Sequence, residues 1–237
     1  MADTIIFSKS MPNIGYLARK SVNGPERRLI KDFAKSLLSK NKKDVAVFWE
    51  PLMDTGYPDL VFVYYNPKTF EYWHEGRKTL NVTDIKVLHY LYLAKGATSG
   101  TIGTVLGMSD KKLLSSIERL LDCKMIRRYA KQWTPYSIKK RYAIKKIVAH
   151  EAKISNWQSA FGQAEMNKWF ASESFVVSPV KQPRQRIVNK AIEIGVGIYS
   201  CSKGNAKRIN QAQNHDLPSC YASWLFNEWI GRKLYSY

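Results

Sequence analysis

The sequence predicts an α/β fold, a mixed sheet flanked by helices, with a helical segment of different character inserted into it. Three observations carry that expectation. Two apolar runs, VAVFWEPL (45–52) and PDLVFVYY (58–65), are separated by the turn-forming MDTGY and read as a hairpin of buried strands. Elsewhere, apolar runs of strand length alternate with helices of 3.6-residue period, the pattern of a layered sheet. Between these parts, residues 70–140 read as helices followed by a basic hairpin.

Residues 1–23 show no clear period and are assigned to no element. In PERRLIKDFAKSLLSK (25–40), Leu29, Ile30, Phe33, Leu37 and Leu38 share one helical face. Pro25 suits its first turn, where a missing N–H has no intrahelical partner to lose. The two apolar strands follow. Residues 80–96 form the next helix, with Thr83 as its expected N-cap. Residues 98–108 are a short helix of small residues, and 109–126 a third helix capped by Ser109. RRYAKQW and SIKKRYAI then read as a basic two-stranded hairpin turning at TPY. Helix, short helix, helix, basic hairpin is the order of a winged helix-turn-helix.

After the insertion, 142–153 is a strand that ends in charge, 154–172 a helix, SFVVSP (174–179) a strand, 185–195 a helix and 196–201 a strand. Residues 202–216 are polar and read as loop, and 220–234 as an apolar closing helix. The expected organisation is a discontinuous α/β core, 1–69 with 141–237, and an insertion, 70–140.

The 237 residues include 38 Lys and Arg against 19 Asp and Glu, a formal net charge of +19. Such an excess repels itself in a compact state and calls for a polyanionic partner, nucleic acid first and an anionic membrane surface second. No stretch approaches the roughly 20 apolar residues that span a bilayer. The opening MADTIIFSKSMPNIGYL lacks a basic start and a long apolar run, so no secretory signal is expected. Cys123, Cys201 and Cys220 are isolated and odd in number, which fits a reducing cytoplasm. The four His residues are not at ligand spacing with Cys, so a structural zinc is not expected.

Two short motifs bear chemistry. Pro58-Asp59 opens one apolar strand, and Glu151-Ala152-Lys153 closes another. Glu and Lys two apart on a strand point to the same face. Two carboxylates suit a hard divalent cation, and a neighbouring lysine can orient water or offset developing charge. His150 falls on the opposite face from Glu151, so core or surface is its expected place. Glu50 and Asp54 are alternative acidic contributors.

The pattern PD…ExK, with an acidic helix before it and a glutamine-bearing helix after it, resembles the PD-(D/E)xK, restriction-endonuclease-like nuclease superfamily. The resemblance covers residues 24–66 and 142–201. It departs from the family in the long gap between Asp59 and Glu151, which the winged helix fills as an insertion. The resemblance implies that Asp59 and Glu151 hold Mg²⁺, for which Mn²⁺ can substitute, and that Lys153 positions or activates the attacking water. It further implies metal support by Glu26 and a contribution from Gln163 in the following helix. The expected activity is cleavage of double-stranded DNA in restriction, phage or mobile-element processing, with a homodimer or a protein partner where both strands are cut. DNA contacts are expected from Lys111 and Lys112 on the third helix of the insertion. Arg127, Arg128, Lys131, Lys139, Lys140 and Arg141 of the hairpin, interleaved with Tyr129, Trp133 and Tyr136, are expected to add to them. The alternative is a DNA-binding regulator without catalysis, or a nuclease subunit active only within a complex.

Overall fold

The computed structural model describes residues 4–20, 22–40 and 44–235. In chain order its elements are β1 (Ile5–Phe7), α1 (Pro25–Lys40), β2 (Val45–Trp49), β3 (Leu60–Tyr65), α2 (Pro67–Phe70), α3 (Val82–Ala94), α4 (Ser99–Leu106) and α5 (Asp110–Asp122). There follow β4 (Ile126–Tyr129), β5 (Gln132–Pro135), β6 (Ile144–Ala152), α6 (Trp157–Asn167), β7 (Glu173–Ser178), α7 (Gln185–Glu193), β8 (Gly197–Ser202), β9 (Asn205–Asn210) and α8 (Tyr221–Leu234). They divide into two compact units. The first is built from the chain up to Tyr65 and from Ile144–Ser219, the second from Asn66–Ala143 and the chain from Cys220 onward.

The first unit is α/β. Among the described residues its mixed sheet has seven strands in the order β1-β2-β3-β6-β7-β8-β9. The pairs β1–β2, β6–β7 and β7–β8 are parallel; β2–β3, β3–β6 and β8–β9 are antiparallel. The centre falls to β3 and β6 because both faces of LVFVYY and of the latter part of IKKIVAHEA are apolar enough to be covered. On one face α1 inserts Ile30, Phe33 and Ala34 against Val47, Phe62, Val148 and Phe175. On the other, α6 and α7 set Phe161, Ala164 and Ala191 against Val176 and Ile198. Alternation along β7 sends Phe175 and Val177 to the α1 layer and Val176 to the α6 layer. Gly197 on β8 is needed for this packing, since a Cβ there would overlap the Phe175 ring.

His150 takes the core place. It is 1% exposed, with its ring 4.9 Å from Phe33, 5.5 Å from Phe62 and 5.8 Å from Phe175. Burial away from water pushes its pKa down to about 3.

Two strands of the sheet escape the sequence reading. β1 lies in the unassigned opening segment, where Phe7 stacks on Phe48 at 4.2 Å. β9 occupies part of the stretch read as polar loop. Its turn from β8 is made by Lys203 and Gly204, both at positive φ, the backbone that a tight hairpin requires.

In the second unit, α3, α4 and α5 precede the β4–β5 hairpin, and α8 packs against α3. This corrects the expected boundary: the closing helix belongs with the insertion and not with the sheet. Trp224 of α8 stacks on Tyr92 at 5.1 Å and meets Tyr142 edge-on, Asn227 accepts the Ala143 N–H at 2.7 Å, and Glu228 forms a buried ion pair with Arg77. The N-cap of α3 is Asn81 and not Thr83. Its side chain accepts from the Thr83 and Asp84 N–H groups, and Asp84 answers by accepting the Asn81 N–H, a capping box. Ser109 caps α5 by position but makes no side-chain capping bond. The hairpin turns at Ala130–Lys131, not at TPY: both residues have positive φ, which allows a two-residue turn without glycine. Ile138–Lys140 is a 3₁₀ turn where a second strand was expected. Among the described residues, no helix is long and apolar enough to cross a membrane.

The pKa of His150 lies below its ordinary value, so between about pH 6.5 and 3 the unfolded chain takes up a proton that the fold refuses. Stability present above pH 6.5 is therefore lost as pH falls. His150→Leu is expected to reduce the loss between pH 7.5 and 5 by about 2 kcal/mol. Denaturant unfolding of both proteins at both pH values measures it, and equal losses would refute it.

Candidate active site

Strand register assembles this site. Leu60 pairs with His150 on one side and with Trp49 on the other. One residue further on, Asp59 comes opposite Glu151 of β6 and beside Glu50, whose N–H donates to the Asp59 carbonyl at 3.3 Å. Three carboxylates thus stand in a row across three adjacent strands. Asp59 is tied to β6 a second time: its Oδ2 accepts the Ala152 N–H at 2.8 Å. Beside the row is a cleft of about 470 Å³ whose lining includes Arg19, Glu26, Arg27, Glu50, Asp59 and Ile154.

The sequence-predicted residues fall as follows. Asp59, Glu151, Lys153 and Glu26 come together. Glu151 is 3% exposed, set deeper than Asp59. Lys153 follows two residues after Glu151, and its Nζ donates to Glu26 Oε2 at 3.3 Å. Glu26 therefore lines the cleft from the first turn of α1, but its partner in this structure is the lysine. Glu50, an alternative in the sequence reading, belongs to the row; the exposed Asp54 does not line the cleft.

Gln163 does not contact the acids: its Oε1 is buried with no hydrogen-bond partner among the described residues. The amide that does is Asn167, one helical turn further on, whose Nδ2 donates to Glu151 Oε1 at 2.7 Å. Arg19 and Arg27 were not foreseen. Arg27 Nη1 donates to Glu50 Oε1 at 3.1 Å, and Arg19 Nε donates to Glu50 Oε2 at 3.2 Å while its Nη2 stands 3.8 Å from Asp59 Oδ1.

The row is electrostatically loaded. Burial raises the Glu151 pKa, and the neighbouring Asp59 raises it further, to about 8; the Asn167 amide and Lys153 act the other way. The Asp59 carboxyl is also raised, first by burial and against the pull of the Ala152 N–H and Lys153. Two carboxylates that resist ionising side by side favour a shared proton or a bound cation. Their hydrogen bonds engage Asp59 Oδ2 and Glu151 Oε1, which leaves Asp59 Oδ1 and Glu151 Oε2 as donors. Among the described residues no group of three or more His, Cys, Asp or Glu gathers as a metal cage. Two carboxylates completed by water and phosphate are nonetheless what Mg²⁺ commonly uses, so the donor set fits it.

No family model, no curated protein and no solved structure matches the chain.

The basic residues of the second unit are mostly free of the core. Lys111 and Lys112 are exposed in the first turn of α5, Arg127, Arg128 and Lys131 on the hairpin, and Lys139 and Lys140 in the 3₁₀ turn. Arg128 lies over the Trp133 ring at 5.5 Å and Arg127 over Tyr136 at 5.5 Å. Arg141 differs. It is half-buried, and its Nε donates to the Lys124 carbonyl at 3.1 Å, so it closes the base of the hairpin.

With its pKa raised from 4.5 to about 8, Glu151 keeps in the fold a proton that the unfolded chain releases. Metal-free protein therefore loses stability as pH rises through that window. Glu151→Gln is expected to flatten this decline and to melt about 2–4 °C higher at pH 8 for each kcal/mol recovered. Mg²⁺ should raise the wild-type melting temperature more at pH 8 than at pH 6 and leave the variant unmoved. Superimposable pH profiles would sink the assignment.

Proposed function

We propose that this chain is a metal-dependent DNA endonuclease of the PD-(D/E)xK, restriction-endonuclease-like type, carrying an inserted winged helix for docking duplex DNA. The observation that carries the reading is the joint placement of Asp59 and Glu151 in register across β3 and β6, with Lys153 at the same strand end. Asp59 and Glu151 would hold Mg²⁺ or Mn²⁺, which when bound supplies a nucleophilic water at neutral pH and neutralises phosphate charge. The chain's own groups do the rest. The Ala152 N–H and the Asn167 amide fix the two carboxylates, so no ordering is left for the moment of reaction. Lys153, held by Glu26, would position the attacking water beside them.

The substrate class follows from charge and from the second unit. A net charge of +19 favours a polyanion. The order α3, α4, α5, basic hairpin supports a winged helix, with α5 offered to the major groove and the hairpin as its wing. One site per chain cuts one strand, so double-strand cleavage needs a dimer or successive nicks. Cys123, Cys201 and Cys220 are isolated in the sequence and odd in number, which suits a reducing compartment such as the cytoplasm. A second reading, a DNA-binding subunit that cuts only with a partner, draws on the Glu26–Lys153 pair, which keeps the lysine engaged.

Purified protein on supercoiled plasmid with Mg²⁺, with Mn²⁺ and with EDTA tests the proposal. Metal-dependent nicking is expected, falling by about 100-fold or more in Asp59→Ala and Lys153→Ala, with DNA retardation retained. Plasmid that is retarded but intact under every condition would reject the free-standing nuclease. Separately, Arg127→Ala and Arg128→Ala should each weaken duplex binding and lower the slope of log affinity against log salt by about 1. Unchanged slopes would remove the hairpin from the interface.

A further inference from the structure

We propose that Arg19 is a displaceable cation: it lies against Asp59 in the free protein, then turns its guanidinium to the incoming phosphodiester and leaves Asp59 to the metal. The inference rests on the metal-dependent nuclease reading and adds to it a residue that binds substrate and controls metal affinity.

The cations around the acidic row differ in how firmly they are held. Lys153 is paired with Glu26, and Arg27 with Glu50. Arg27 is fixed, being 14% exposed with its guanidinium 4.8 Å from the centre of the Trp49 ring. Arg19 is built differently. Its backbone is anchored, because its N–H donates to the Glu50 carbonyl at 3.0 Å and its neighbour Ala18 bridges to Pro51. Its side chain is 49% exposed, shares Glu50 with Arg27, and has the Tyr57 ring at 5.4 Å as its aromatic neighbour. Glu50 would keep Arg27 if Arg19 swung away, so the movement leaves no buried charge unpaired.

The oxygen that Arg19 faces matters most. Asp59 Oδ2 is committed to the Ala152 N–H, and Nη2 of Arg19 stands 3.8 Å from Oδ1, the oxygen left for a cation. A divalent ion held by Asp59 and Glu151 would therefore compete with the guanidinium for Asp59. Arginine stays protonated, so this competition is not relieved by losing a proton; the side chain has to move. A phosphodiester gives it somewhere to go, since the planar fork of N–H donors matches two phosphate oxygens. Nucleic acid and metal then each strengthen the binding of the other, because one removes the group that opposes the other.

The test is Mn²⁺ binding to DNA-free protein, followed by the free-ion paramagnetic resonance signal, for wild type, Arg19→Gln and Arg19→Lys, alongside plasmid cleavage at saturating Mn²⁺. Arg19→Gln is expected to bind Mn²⁺ about 3- to 10-fold more tightly, the worth of a half-exposed charge pair, and yet to cleave about 10- to 100-fold more slowly. Arg19→Lys, which keeps the charge and loses the fork, is expected to bind Mn²⁺ like wild type and to cleave slowly. Opposite signs on binding and cleavage are not what a merely structural arginine would give. Unchanged or weaker Mn²⁺ affinity in Arg19→Gln overturns the proposal, as does full cleavage by that variant. Mn²⁺ binding that Asp59→Ala leaves intact would instead show that the metal site itself is misassigned, and Arg19's role falls with it.

Discussion

β3 and β6 have to pair across the whole of the inserted segment Asn66–Ala143, and the antiparallel register they adopt is the constraint on which the rest of the first unit depends. Side chains alternate faces, so a slip of one residue would send Glu151 into the α1 layer and His150 out of it. Two features resist that slip. The ring of His150 sits among Phe33, Phe62 and Phe175, a cluster that accepts an aromatic ring and not a carboxylate. At the strand end, the Asp59 carboxylate bonds the Ala152 N–H, so the side chain that defines the candidate site also fastens the sheet that presents it.

The same arrangement sets folding and chemistry against each other. Glu50, Asp59 and Glu151 lie on neighbouring strands, and burial removes the water that would screen them. Arg27 and Arg19 offset Glu50, the Asn167 amide steadies Glu151, and Lys153 and Glu26 face each other nearby. None of these partners relieves the mutual repulsion of Asp59 and Glu151 completely. A structure selected for stability alone would replace one of the pair by an amide or a hydroxyl. Keeping both is understandable where a further positive charge is to be bound between them.

Much of this was legible in the sequence. The α1 stripe from Leu29 to Leu38 carries a helical period, the apolar runs of β2 and β3 are of strand length and bounded by turn residues, and the Glu151–Lys153 spacing puts two charges on one strand face. What escaped lacks such a period. β9, NAKRIN, is an edge strand with only two apolar residues, Ala206 and Ile209, which pack toward different core clusters and so do not alternate, and its turn places a lysine where an asparagine or aspartate would have marked the hairpin. The β4–β5 turn uses Ala130 and Lys131 at positive φ, a conformation that no side chain there announces. Asn167 was missed in favour of Gln163, although the two are four apart on one helical face and only the later one is in reach of Glu151. Arg19 comes from a stretch without periodicity, where the folded sheet and not local pattern decides what a side chain meets. Thr83 lost the cap of α3 to Asn81 because Asp84 completes a capping box only from that start.

The second unit is made of two stretches of chain separated by the later strands of the sheet, and that threading has a temporal meaning. As the polypeptide emerges in order, the sheet has its last strand by Asn210. Arg77, almost wholly enclosed, must wait for Glu228, and Asn227 and Trp224 arrive only at the same late stage to meet Ala143 and Tyr142. A nascent chain paused before α8 can thus already hold the acidic row in its sheet while the basic unit still lacks its final helix. The unit that carries the acidic row can therefore assemble ahead of the unit that carries the basic hairpin, which waits until synthesis has supplied α8.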